Sequence, residues 1–156
     1  MSAESPEVTP EPTVAAPEFA GTPVEFTCDS LLPDYTLAAD PRGWVLDESF
    51  TPAAGSPQER AVALDGIACG YTGSAGETLA VSFAQPTEAT LTALIDELSL
   101  SSEPTDAFEL FPAFFSDGVA DVFPYGYWAS LSSPAFTSPA DAQSLVSMIN
   151  QATPKS

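Results

Sequence analysis

Acidic side chains outnumber basic ones by 22 to 3, and there is no histidine, so ion pairing cannot hold this chain together. A net charge of −19 instead drives the chain apart by self-repulsion. Any fold must therefore rest on apolar burial and backbone hydrogen bonds. The chain has the material: 44% of its 156 residues are hydrophobic, too many for a wholly disordered protein. The length suits one domain that buries roughly two-thirds of its unfolded surface. The charge balance also excludes functions. Nucleic-acid binding needs clustered cations, whereas Arg42, Arg60 and Lys155 are scattered. Without histidine there is no Ser-His-Asp triad, no imidazole acid–base catalysis and no ordinary catalytic zinc site. No apolar run is long enough to span a membrane.

Residues 1–23 read as a disordered acidic tether. Pro6, Pro10, Pro12, Pro17 and Pro23 alternate with Glu4, Glu7, Glu11 and Glu18, with no basic residue between them. Proline removes backbone donors and like charges extend the segment, which predicts partly polyproline-II chain. The segment has neither the positive start nor the apolar stretch of a secretory signal. The expectation is nevertheless an exported protein whose leader is absent from the sequence, because such tethers hold domains off cell surfaces and the cysteine count is even. The alternative is the cytoplasm of a salt-adapted organism; such a protein would lose its fold in dilute buffer.

Residues 24–156 read as a single α+β domain. The patterning predicts a short strand at Val24–Thr27, a brief helix at Cys28–Leu32, irregular chain over Asp34–Phe50 with a strand near Gly43–Leu46, and a helix from Ser56-Pro57-Gln58-Glu59 to Leu64. Strands at Ile67–Thr72 and Thr78–Ala84 follow, joined by Gly73-Ser74-Ala75-Gly76. A helix over Thr87–Leu98 has Leu91, Leu94, Ile95 and Leu98 on one stripe. A second hairpin, Gly118–Phe123 and Gly126–Ser132, turns around Pro124-Tyr125-Gly126. The last helix opens on Ser138, Pro139 and Asp141 and buries Ala142, Leu145, Val146, Ile149 and Ala152. This order predicts an antiparallel sheet of about four or five strands with helices packed on one face.

The residues that could carry chemistry are few. Cys28 and Cys69 are too far apart for a CxxC motif or an all-cysteine zinc site. They are read as a structural disulfide closing a loop of about 40 residues, worth roughly 4 kcal/mol; two buried free thiols, a redox switch and a carboxylate-completed metal site are the alternatives. The nearest acidic sets, Asp117 with Asp121, Asp47 with Glu48 and Asp96 with Glu97, match no calcium loop and read as surface charge. There is no nucleophile elbow, Ser-x-x-Lys, Walker or Rossmann motif, so no catalytic residue, cofactor or metal is expected. Aromatic side chains crowd Phe108–Phe115 and Phe123–Phe136, mostly as core. Tyr125 and Tyr127, flanking Gly126 at a hairpin end, are the candidate contacts to a ligand or partner.

The tether, Thr27-Cys28-Asp29-Ser30-Leu31-Leu32, Phe50-Thr51-Pro52-Ala53-Ala54-Gly55-Ser56 and Gly66-Ile67-Ala68-Cys69-Gly70-Tyr71 together resemble small exported lipoproteins of actinobacteria. Tyr127-Trp128, Ser132-Ser133-Pro134-Ala135-Phe136 and the acid-capped last helix extend the resemblance over about residues 24–152. It implies an extracytoplasmic location, secreted or surface-tethered through the N-terminus, and the Cys28–Cys69 bond. It implies no activity, and no lipobox cysteine is present to carry an anchor. The expected function is a non-catalytic extracytoplasmic domain that binds a protein, an envelope polymer or a small ligand. The alternative is a carboxylate-dependent hydrolase acting on envelope glycans, which would need a pocket lined by two carboxylates.

Overall fold

The computed structural model describes residues 19–154. Residues 1–18, most of the segment expected to form the tether, lie outside the described residues. Seven strands form one antiparallel sheet: β1 (Gly21–Thr22), β2 (Val45–Asp47), β3 (Ile67–Thr72), β4 (Thr78–Pro86), β5 (Ala113–Ser116), β6 (Val119–Val122) and β7 (Trp128–Ser132). The hydrogen-bonded order is β2-β3-β4-β7-β6-β5, and β1 pairs with Gln85 and Pro86 at the far end of β4. The helices are α1 (Cys28–Leu31), α2 (Asp34–Leu37), α3 (Pro57–Ala63), α4 (Glu88–Ser101) and α5 (Gln143–Ala152), with short 3-10 turns at Pro124–Gly126 and Pro139–Ala142.

The α+β class stands, but the sheet has seven strands rather than four or five, and helices cover both of its faces rather than one. The register explains the second correction. Cys69, Val81, Leu131 and Ala120 are lateral neighbours on one face, which packs with Leu31, Leu32, Leu145, Val146 and Ile149 of α1, its C-terminus and α5. The opposite face presents Ala84, Trp128 and Phe114, and these pack with Ala61 and Leu64 of the α3 region and Leu94 of α4. Strand β4 is central, and from Val81 to Ala84 it is buried on both sides. The apolar stripe of α4 thus has a floor of its own.

Local rules place most boundaries. The Ser56 hydroxyl accepts from Glu59 N at 3.2 Å to start α3, while the Glu59 carboxylate takes the Gly55 amide rather than that of Ser56. Thr27 caps α1 in a reciprocal pair with Ser30. Asp141 accepts from the amides of Thr137 and Ser138 and fixes the turn into α5. The strand expected at Val24–Thr27 is replaced by β1, three residues earlier. The Asp34–Phe50 region contains α2 as well as β2. Strand β5 occupies the aromatic run after Pro112, and its turn to β6 is Asp117-Gly118, both with positive φ, the conformation that a two-residue hairpin turn requires.

The disulfide is present. Cys28 and Cys69 are bonded with their Cα atoms 5.8 Å apart, which pins α1 to the middle of β3.

Candidate functional site

The sheet face beneath α3 carries an unusual density of small polar side chains. Asp121, Ser130 and Ser82 are lateral neighbours across β6, β7 and β4. Val119, Ser132, Ala80, Gly70 and Asp47 form the next row. Gln58, buried in the first turn of α3, stands on this surface and donates through Nε2 to the carbonyl of Ser130 at 3.2 Å. Two cavities flank that helix start, and Ser56 and Pro57 line both.

The first is a cleft of about 800 Å³. The Gly70–Ala80–Ser132–Val119 row lines it, together with Phe50, Thr51 and Gln58 and with Phe115, Asp117 and Phe136. Gly70 is required there: a Cβ at this position would lie 2.3 Å from the Phe50 ring. Within the cleft Ser132 Oγ is buried without a hydrogen-bond partner. Two carboxylates, Asp47 and Asp117, line the cleft, and among the described residues no Lys or Arg does. The Ser49 hydroxyl and amide donate to Asp47 at 2.7 and 3.0 Å and hold its carboxyl below the ordinary range, so it stays ionised. Such a lining repels anions and offers hydroxyl, amide and carboxylate groups to a neutral polar ligand.

The second cavity, about 780 Å³, lies between α3 and α4. Asp121 and Trp128 line it together with Ala63, Leu94 and Leu98; Glu59, Arg60 and Glu97 also line it. Asp121 is 4% exposed. The Trp128 indole donates to its Oδ1 at 3.0 Å. Burial raises the Asp121 carboxyl, and the hydrogen bond from the Trp128 indole opposes that rise. Between the ordinary carboxyl pKa and the raised one, the native chain binds more protons than the unfolded chain. Asp121 therefore subtracts stability as pH rises through that window. Asp121→Asn keeps an acceptor for Trp128 and removes the titration. Its stability relative to the wild type should climb as pH rises above the ordinary carboxyl range near about pH 4, as read by urea unfolding at several pH values. A difference that does not change with pH would mean Asp121 does not titrate in that window.

The residues singled out from sequence are spread across the fold. Tyr125 is 41% exposed and has positive φ in the turn before β7. Tyr127 is half-buried and stacks on Phe83 with ring centroids 4.9 Å apart. Neither lines the two cavities. Asp47 and Asp117, from two different acidic sets, meet at the cleft; Asp121 faces the other cavity. The alternation in β7 carries no local sign of burial: Ser130 and Ser132 resemble solvent-facing positions until the second helical layer covers them. Among the described residues, no group of three or more Cys, Asp or Glu side chains is placed to hold a metal, and no helix is long and apolar enough to cross a membrane.

The fold and the cleft together define an α+β protein with a ligand-sized cavity of mixed apolar and polar lining that no cation among the described residues enters. Comparison with protein-family models, curated proteins and solved structures finds no match.

Proposed function

We propose that the protein is a non-catalytic extracytoplasmic binding domain that takes a neutral, hydroxyl-bearing ligand, a small molecule or a segment of envelope polymer, in the cleft beneath Phe50 and Thr51. The cleft carries this reading: its volume lies in the range of small-molecule sites, and apolar surface from Phe50, Phe115 and Phe136 alternates with hydroxyl, amide and carboxylate groups. The disulfide and the resemblance to exported lipoproteins support the location, because structural disulfides persist in oxidising compartments. Titration with neutral oligosaccharides from cell-envelope polymers, followed by amide chemical shifts, should move Gly70, Ser132 and Val119 together. Thr51 is an exposed wall residue, so Thr51→Trp should block the cleft and abolish those shifts with the fold intact. Unchanged binding in that variant would remove the cleft from the function.

The pair Asp47 and Asp117 favours a second reading, a carboxylate-dependent hydrolase of envelope glycans. It has one ionised carboxylate suited to a base or nucleophile. Glycosidase acids, by contrast, sit in apolar pockets, whereas Asp117 is exposed on the β5–β6 turn. Release of reducing ends from the same oligosaccharides, lost in Asp47→Asn, would select the hydrolase.

A further inference from the structure

We propose that the cavity between α3 and α4 binds a protonated primary amine at the end of an aliphatic chain, with the ammonium group seated on Asp121. The site is separate from the cleft and stands whether or not the cleft binds a ligand. Among its lining groups is the Asp121 carboxylate, almost wholly buried yet open to the cavity. A buried carboxylate is costly unless a cation or several donors face it. The protein supplies one hydrogen bond to it, from the neutral Trp128 indole. The one cation lining the cavity among the described residues, Arg60, is held elsewhere: both of its terminal nitrogens bond the Glu97 carboxylate, and its guanidinium lies 4.6 Å from the centroid of the Phe19 ring. An ammonium group completes the site and adds its attraction to the Trp128 ring.

The rest of the lining selects the same ligand. Glu59 and Glu97 add two carboxylates against the single guanidinium, so the lining attracts cations. Ala63, Leu94, Leu98 and Trp128 give an apolar surface for methylene groups. A hydrated divalent metal would find one inner carboxylate where it needs several oxygen ligands. An alkylammonium ion needs one carboxylate and an apolar sleeve.

The experiment titrates the full chain with n-butylammonium, 1,4-diaminobutane and Nα-acetyl-lysine methylamide, using n-butanol as the neutral isostere, at moderate salt to screen the surface charge. Calorimetry and tryptophan fluorescence report binding. At least one amine should bind about tenfold or more tightly than butanol, the difference expected for a charge-assisted bond. Binding of the free amines alone identifies a small metabolite-like amine, and binding of the lysine derivative identifies a peptide side chain. Asp121→Asn should weaken amine binding by about tenfold or more. Ala63 is exposed at the cavity wall, so Ala63→Trp should exclude the ligand while the thermal transition stays in place; it tests the site independently of any effect of the Asp121 change on folding. Equal affinity for butanol and butylammonium, undiminished binding in Ala63→Trp, or no binding by any amine overturns the proposal.

Discussion

Reduction of the Cys28–Cys69 bond is expected to lower the unfolding free energy by about 4 kcal/mol, the chain-entropy value for a loop of this length. The loop contains α2, β2 and α3 together with the irregular chain between them. With Cys69 on the buried face of β3 and Cys28 at the start of α1, the bond holds the first helix where Leu31 and Leu32 enter the main core. Few other ties do this: the Cys28–Leu31 turn is four residues long, and an isolated helix that short does not persist in water. Urea unfolding with and without reductant checks the value. Since domains of this size lose about 1–3 kcal/mol per molar urea, the midpoint should fall by about 2 M. Cys28→Ala/Cys69→Ala should match the reduced protein. A loss below about 1 kcal/mol would mean that the unfolded reduced chain keeps the loop ordered.

The parts of the fold legible in the sequence are those where one local rule acts alone. The Ile67–Thr72 strand, the Thr87 start of α4 and the Ser138-Pro139-Asp141 entry to α5 each have a cap, a turn or a period that no tertiary contact overrides. Strand β5 was legible in principle. Asp117-Gly118 between Phe115 and Val119 is the usual signal of a tight hairpin, while the aromatic run before it fits core packing equally well. The two-sided sheet was not legible. Whether Ser130 faces water or Gln58 depends on where α3 lands, and that is decided by Ala61 and Leu64 packing with Ala84 and Trp128, contacts distant in sequence. The cleft shares this origin. Asp47, Gly70, Ser132 and Asp117 lie on four different strands or turns, and only the register brings them together.

Scarcity of cations gives each arginine unusual weight, and Arg42→Leu is expected to destabilise the protein by about 3 kcal/mol or more, the range for breaking a buried ion pair from one side. Arg42 Nη1 bonds the buried Asp40 carboxylate at 3.0 Å, and Nη2 donates to the Asp141 carbonyl at 2.6 Å. Its guanidinium lies 5.9 Å from the Trp44 ring centroid and 5.6 Å from that of Phe136. Its own carbonyl accepts from Ser74 N and Oγ. One side chain therefore fastens the irregular chain after α2 to the turn that begins α5, while its backbone fastens the same chain to the β3–β4 turn. Leucine keeps the backbone bonds and much of the apolar stem but leaves Asp40 with only the Ser144 hydroxyl and the residue-42 amide. The stranded carboxylate is the main cost, so Asp40→Asn/Arg42→Leu should recover part of the loss, and a double-mutant cycle should show coupling above about 1 kcal/mol. Denaturant unfolding of the wild type, the two single variants and the double variant measures it. A single-variant loss below about 1 kcal/mol, or additivity in the cycle, would show that water reaches Asp40 and that the guanidinium acts as surface charge.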